Sequence, residues 1–126
     1  MELPWSKGTA DAADREATIM ASRFQLKSAF TSPAFLLAAL RIRRQALGSP
    51  GLIGVSLRAH PLRGEFWTLS AWADEAALHE FVGKEPHHTT MAGFHSRMQD
   101  GIFRFWTTRD LAPAGLWAEG VKRITQ

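Results

Sequence analysis

The segment Phe66–Phe81 constrains the fold more than any other part of this sequence. It starts with an alternating aromatic stretch, and Asp74 then stands where the N-cap of a helix is expected. The alternation predicts a strand that carries Phe66 and Trp72 on one face and Trp67 on the other. Because both faces carry large apolar side chains, the strand is expected to lie in a sheet that is covered on both sides.

The other elements follow from the same two periodicities, since alternating apolar residues predict strands and apolar residues three or four apart predict helices. The predicted strands are 18–26, 52–59, 65–73 and 102–108, and the predicted helices are 33–47, 75–82 and 86–99. Ser32 is the expected N-cap of the first helix, and Asp100-Gly101 is the expected turn before the last strand. The order β-α-β-β-α-α-β predicts an α+β ferredoxin-like plait with a four-stranded antiparallel sheet and a second helix broken in two.

A chain of 126 residues has the usual size of one domain, which we expect to span residues 18–109. Residues 1–17 show neither periodicity and are interpreted as an N-terminal tail, in which Trp5 could pack back onto the domain. Residues 110–126 are interpreted as a C-terminal extension that could form a short amphipathic helix. The helices of such a plait cover one face of the sheet, so a homodimer is expected to cover the other and to form a dimeric α+β barrel.

Composition excludes several classes of function. The absence of cysteine rules out disulfides, thiolate metal sites and a cysteine nucleophile. The net charge is +3, and the basic residues are scattered apart from Arg41, Arg43 and Arg44 at the end of the first helix, where cations complement the helix dipole. Nucleic acid is therefore not an expected partner. No apolar stretch approaches the ~20 residues of a membrane span, and no secretory signal is evident, so a cytoplasmic protein without a membrane partner is expected.

Three histidines fall on the helical stretch 86–99. His87 shares a stripe with Met91 and Phe94, whereas His88 and His95 lie at the edge of that stripe. Seven residues separate His88 from His95, about 10 Å along a helix, which is too far for the pair to hold one metal ion, and no metal site is predicted. His87 and His88 are the candidate catalytic residues, as a base or a hydrogen-bonding group near neutral pH. The alternative is a solvated helix edge with one half-buried histidine.

Five tryptophans and eight phenylalanines in so short a chain also have two interpretations. Core packing and dimer burial explain most of them. The alternative is a pocket for a flat organic ligand, since such pockets are mainly apolar with a few polar groups. The candidate ligand-binding residues are Trp67, Trp72, Met91, Phe94, His95 and Arg58.

Over residues 18–108 the chain resembles the antibiotic biosynthesis monooxygenase-like group. More closely it is similar to the uncharacterised bacterial branch related to spheroidene-monooxygenase-like and DUF3291 proteins. The resemblance rests on the aromatic strand that ends at Trp72, the acidic helix cap, the apolar face of Leu78 and Phe81, and the pair His87-His88. It implies a homodimer with a hydrophobic pocket between helices and sheet in each subunit.

Characterised members of this group include cofactor-independent oxygenases of aromatic compounds and haem-degrading enzymes. The haem-degrading members use an Asn, a Trp and a His. This chain has no asparagine, and Phe81 stands where the helix tryptophan would align, so haem degradation is not expected. Haem binding at His88 remains an expectation from the resemblance.

Together these patterns predict a monooxygenase-like protein that acts on or binds a flat hydrophobic small molecule, without a protein-bound cofactor. If the protein is an enzyme, deprotonation of an electron-rich substrate would let that substrate react with O₂. The alternative is a non-catalytic dimeric module that binds a ligand or haem.

Overall fold

One antiparallel sheet of five strands, with helices on both of its faces, organises the residues that the structure describes. The computed structural model describes residues 1–11, 16–85 and 87–126, and of His87 it describes the backbone only. The strands are β1 Glu2–Lys7, β2 Ala17–Leu26, β3 Leu52–His60, β4 Glu65–Trp72 and β5 Met98–Thr108. The helices are α1 Ser32–Leu47, α2 Glu75–Gly83, α3 His87–Phe94 and α4 Pro113–Thr125.

The strand order β1-β3-β4-β2-β5 places β2 and β4 at the centre of the sheet. These two strands pair without a break from Thr18 opposite Trp72 to Gln25 opposite Glu65. Without β1, the order is that of a ferredoxin-like plait, in which the first and third strands lie side by side. The predicted α+β ferredoxin-like class is confirmed, with one more strand than predicted.

The additional strand is β1, and the prediction of a tail is wrong for this segment. Glu2–Lys7 pairs with the outer edge of β3. Pro4 and a register shift between Leu3 and Ser6 interrupt the alternation, which hides the strand from a search for period two. The expectation that Trp5 packs back onto the domain is confirmed, because its ring lies so close to Gly54 that a Cβ there would meet it at 2.1 Å.

Helices α1, α2 and α3 pack on one side of the sheet, which we call the helix face. The predicted cap of α2 is confirmed, since the Asp74 carboxylate accepts a hydrogen bond of 2.8 Å from the backbone N–H of Ala77. Ser32 does not cap α1 as predicted, because its hydroxyl donates instead to the carbonyl of Pro61 at 2.6 Å. This bond ties the start of α1 to the connection between β3 and β4.

The predicted turn at Asp100-Gly101 is also wrong. Helix α3 ends at Phe94, a single 3₁₀ turn follows, and β5 already begins at Met98. Asp100 and Gly101 lie within this strand and pair with β2. Pairing along the full length of the central strand outweighs the local turn preference of the Asp-Gly pair.

Helix α4 covers the opposite side of the sheet, which we call the C-terminal face. Leu116, Trp117 and Ile124 are buried there, as the predicted amphipathic pattern requires. Gly120 permits a close approach, since a Cβ at this position would lie 3.2 Å from that of Ala21. The expectation that helices cover only one face is therefore wrong, because a helix of the same chain packs on the second face. Among the described residues, no helix has both the length and the apolar character needed to cross a membrane.

We expect Trp117→Ala to lower the free energy of unfolding by about 3–5 kcal/mol, because it removes the largest side chain that α4 buries against the sheet. Trp117 is 5% exposed, and its indole N–H donates to Ser56 Oγ at 3.3 Å. Urea denaturation followed by circular dichroism measures the change. Val121→Ala on the same helix is the matched control and should shift stability by less than ~0.5 kcal/mol. Equal effects of the two substitutions would mean that α4 does not dock on the sheet in solution.

Candidate functional site

A cavity of about 70 Å³ lies between the helix face of the sheet and the helices α1, α2 and α3. Its walls are mainly apolar: Phe35 and Ile42 from α1, Phe81 from α2, and Met91 and Phe94 from α3. We call it the central cavity.

Three hydroxyl groups from the central strands interrupt the apolar lining. Ser22 and Thr68 lie opposite each other on β2 and β4, and their hydroxyls hydrogen-bond to each other. Ser70 Oγ accepts a hydrogen bond of 2.9 Å from the indole N–H of Trp72. Because Ser70 accepts this bond, its own hydroxyl proton stays available to a further acceptor. The floor of the cavity can therefore donate hydrogen bonds to a ligand.

Arg43 is the one cation among the described residues that line the cavity, and none of those residues is acidic. Its Nη2 donates to Ser6 Oγ on β1 at 2.5 Å. In the part of the chain that the structure describes, its Nε is the one buried side-chain nitrogen or oxygen without a hydrogen-bond partner.

Arg43 is the site residue that the sequence-based prediction misses, because the helix dipole already accounts for a cation near the end of α1. A usable signal does exist. Arg43 lies four residues after Ala39 and three before Ala46, both of which line the cavity. A cation inside the apolar stripe of a helix indicates a buried polar contact rather than a solvated end.

Among the predicted ligand-binding residues, the structure brings together Trp72, Met91 and Phe94 at the central cavity. Trp72 is fully buried and packs on Phe81, with ring centroids 4.9 Å apart. Phe94 packs edge-on against Phe35 at 5.1 Å. These contacts place the three side chains where a ligand in the cavity would touch them, and their binding roles stay predictions.

Trp67 and Arg58 lie on the C-terminal face, so neither can contact a ligand in the central cavity. Trp67 lies at an odd offset from Trp72 on β4, so the pleat sends it to the opposite side of the sheet. Arg58 is directly opposite Trp67 on β3 and therefore shares its face. Trp67 donates its indole N–H to Glu65. Arg58 stacks over the ring of Trp117 at 4.2 Å and pairs with Glu2 at 2.8 Å.

The histidines border the cavity from outside. His88 is exposed and lines a cleft of about 240 Å³, which we call the His88 cleft. His95 is exposed as well and lines a second, wider cleft of about 580 Å³, the His95 cleft. Met91 and Phe103 line both clefts and also the central cavity. These two side chains therefore separate the central cavity from each of the two clefts. The side chain of His87, the other predicted catalytic residue, lies outside the described residues.

The described residues do not support a haem site, because the predicted ligand His88 is exposed at the edge of a cleft of about 240 Å³. Within the described ranges, no cluster of three or more His, Asp or Glu side chains is placed to hold a metal ion.

Comparisons with known proteins identify the fold. No protein-family model matches the chain, and no curated protein matches it. Among solved structures, SnoaB from Streptomyces nogalater, a cofactor-independent oxygenase, aligns over 79% of this chain and 99% of its own with 15% identity and a TM-score of 0.63. A candidate antibiotic biosynthesis monooxygenase from Deinococcus radiodurans aligns over 75% and 95% with 11% identity and a TM-score of 0.67. One from Nitrosomonas europaea aligns over 77% and 92% with 13% identity and a TM-score of 0.64.

The chain has the fold of the antibiotic biosynthesis monooxygenases. The resemblance inferred from Phe66–Phe81 is thereby confirmed at the level of the fold, whereas the DUF3291 branch stays a prediction. At such low identities the likeness establishes architecture, and a reaction has to be argued from the site itself.

We expect Ser70→Ala to destabilise the protein by about 1–3 kcal/mol, because it leaves the buried indole N–H of Trp72 without an acceptor. Thermal unfolding followed by circular dichroism measures the loss. Ser96→Ala, on the exposed turn after α3, is the control and should be close to neutral. A neutral Ser70→Ala would mean that Trp72 does not occupy its observed position.

Proposed function

We propose that this protein binds a flat, hydrophobic small molecule at the central cavity and oxidises it with O₂, without a protein-bound cofactor. The observation that carries the proposal is the cavity itself, which combines apolar walls with a few hydroxyls and one cation on the helix face. The fold supports the oxygenase reading, since one of the proteins that share it is a cofactor-independent oxygenase. The site residues of this chain supply the rest of the argument.

The cavity has to enlarge to admit such a ligand. Its volume of about 70 Å³ is well below the ~300–1,000 Å³ of typical small-molecule sites. The clefts on either side supply the missing space if Met91 and Phe103 move. A methionine side chain changes rotamer easily, and Phe103 is 41% exposed on the edge strand β5. Helix α3 has eight residues, too few to be stable alone, and depends on Met91 and Phe94 for its attachment. We therefore propose entry beside α3.

The proposed reaction needs no bound cofactor because the substrate supplies the electrons. A base removes a proton from a ring CH₂ that is conjugated with a carbonyl through aromatic carbons, and the resulting enolate reacts with O₂. One oxygen atom ends in a new C=O group and the other in water, so that R₂CH₂ and O₂ give R₂C=O and H₂O. His88 is the candidate base among the described side chains, and His87 stays a candidate from the sequence.

Anthrone tests the proposal, because it is flat, enolisable and converted by this reaction to anthraquinone. Purified protein should bind anthrone without O₂ and speed anthraquinone formation above the spontaneous rate when O₂ is admitted. His88→Ala should slow turnover on the order of 100-fold or more, as loss of a general base does. The matched control is His79→Ala, an exposed histidine of α2 that pairs with Glu75, which should leave turnover unchanged.

The outcomes separate the two functions that remain. Binding without turnover would favour the non-catalytic ligand-binding module. The exposed position of His88 supports that alternative, because a general base works best in a site from which water is excluded. Absence of binding would overturn both.

A homodimer is also part of the proposal. Strand β5 has eleven residues and pairs only with β2 among the described strands, which leaves a long free edge. Phe103 and Phe105 on this strand are 41% and 54% exposed and line the His88 cleft. A second copy seated on this edge would cover both rings and shield His88 from water.

We expect sedimentation velocity to show a dimer that Phe105→Lys converts to a monomer, because the substitution puts a charge at the proposed contact. Val121→Lys, at an equally apolar exposed position on α4, should leave the dimer intact. A monomeric wild-type protein, or a dimer insensitive to Phe105→Lys, would contradict this arrangement.

A further inference from the structure

From the surroundings of Arg43 we infer that the central cavity selects ligands with an ionised oxygen, and that Arg43 binds the enolate or phenolate oxygen of the substrate. This inference rests on the proposed function, since it assigns the chemical class of the ligand at the same cavity. It adds a specificity-determining residue that the sequence pattern did not single out.

Among the described residues, Ser6 is the hydrogen-bond partner of the Arg43 guanidinium. Its Nη2 is bound to Ser6 Oγ on β1. Ser6 donates its own proton to the Pro4 carbonyl at 3.3 Å, so its lone pairs stay available to the arginine. With Nη2 fixed in this way, Arg43 lines the cavity while its buried Nε has no hydrogen-bond partner among the described residues.

A buried donor on a charged group is unfavourable unless an acceptor meets it. The described lining offers no carboxylate that could neutralise Arg43. The side chains that share the lining with it are apolar groups or hydroxyls, and the hydroxyls of Ser22, Thr68 and Ser70 add further donor capacity. The site therefore has positive charge and hydrogen-bond donors but lacks an anion, which is the complement of an oxyanion on an otherwise apolar ligand.

This complementarity has a chemical consequence for the proposed reaction. A cation beside an enol or phenol stabilises its ionised form. The ionised form is the one that reacts with O₂, so Arg43 would raise the fraction of reactive ligand, while a separate base accepts the proton. Ser6 acts as a positioning residue, because it orients the guanidinium without reaching the cavity itself.

The test uses 2-naphthol, whose ionised and neutral forms differ in absorbance, and its neutral ether 2-methoxynaphthalene. Bound to the wild-type protein, 2-naphthol should ionise at a pH lower by ~1–2 units than in water, which is an affinity gain of about 10- to 100-fold for the anion. Arg43→Met should abolish this gain and leave the affinity for 2-methoxynaphthalene within a few fold. Arg43→Lys should retain part of the gain, because it keeps the charge but loses the fixed Nε.

Two further variants separate specificity from folding. Arg44→Met, the exposed neighbour on α1, is the matched control and should bind both probes as the wild type does. Ser6→Ala should lower the ionisation shift of bound 2-naphthol while the thermal unfolding midpoint stays close to that of the wild type. A merely structural role of Ser6 would change the midpoint and leave the shift unaltered.

The wild-type comparison keeps the inference falsifiable even if a variant fails to fold. Equal affinity of the wild type for naphtholate and for 2-methoxynaphthalene would overturn the role of Arg43 and leave the aromatic-ligand proposal standing. Binding of neither probe would overturn the proposed function and the inference with it. The wild type could instead prefer 2-naphthoate over naphtholate and lose this preference in Arg43→Met. That result would mean that Arg43 binds a carboxylate group of the ligand and not its reacting oxygen, and it would also overturn the inference.

Discussion

The uninterrupted pairing of β2 with β4 is the interaction on which the rest of the structure depends. It places Ile19 and Leu69 on the C-terminal face, and Phe66 and Trp72 on the helix face, and all four side chains are fully buried. A sheet that is apolar on both faces needs a layer on each. Helices α1, α2 and α3 supply one layer through the connections between strands, and α4 supplies the other from the end of the chain. The central cavity lies where the first layer does not fill the space above the strands.

Local signals in the sequence were sufficient to predict the ferredoxin-like plait. The elements that could not be predicted from local signals depend on contacts between residues far apart in the sequence. The Asp74 cap and the alternation of β2, β3 and β4 are readable within a few residues, and the structure agrees with them. The strand Glu2–Lys7 is not readable in this way, because its stability comes from pairing with an edge about fifty residues further along the chain. The docking of α4 depends likewise on a surface formed by several strands. The Asp100-Gly101 pair shows the converse, a strong local preference that the sheet overrides.

The candidate site was predictable in part for the same reason. Helical spacing alone indicated that Met91 and Phe94 face inward, and the parity of β4 indicated that Trp72 does too. Parity also separates Trp67 from Trp72, so a ligand held by both was inconsistent with the strand pattern from the start. Arg43 shows the opposite limit. Its charge has a sufficient explanation in the helix dipole, and only the contact with Ser6 on β1 reveals where the guanidinium lies.

The edge strand β1 thus connects the architecture to the proposed chemistry. A ferredoxin-like plait is complete without it, yet β1 provides the hydroxyl that holds the guanidinium of Arg43 beside the cavity. A buried Nε without a hydrogen-bond partner among the described residues lowers stability, and a methionine at this position would fill similar space without an unsatisfied donor. Local departures from the rules of stable packing concentrate at functional sites, where a ligand completes the missing contact. The observation that a separate strand fixes this cation in a mainly apolar lining therefore favours a ligand-binding role for Arg43 over a purely structural one.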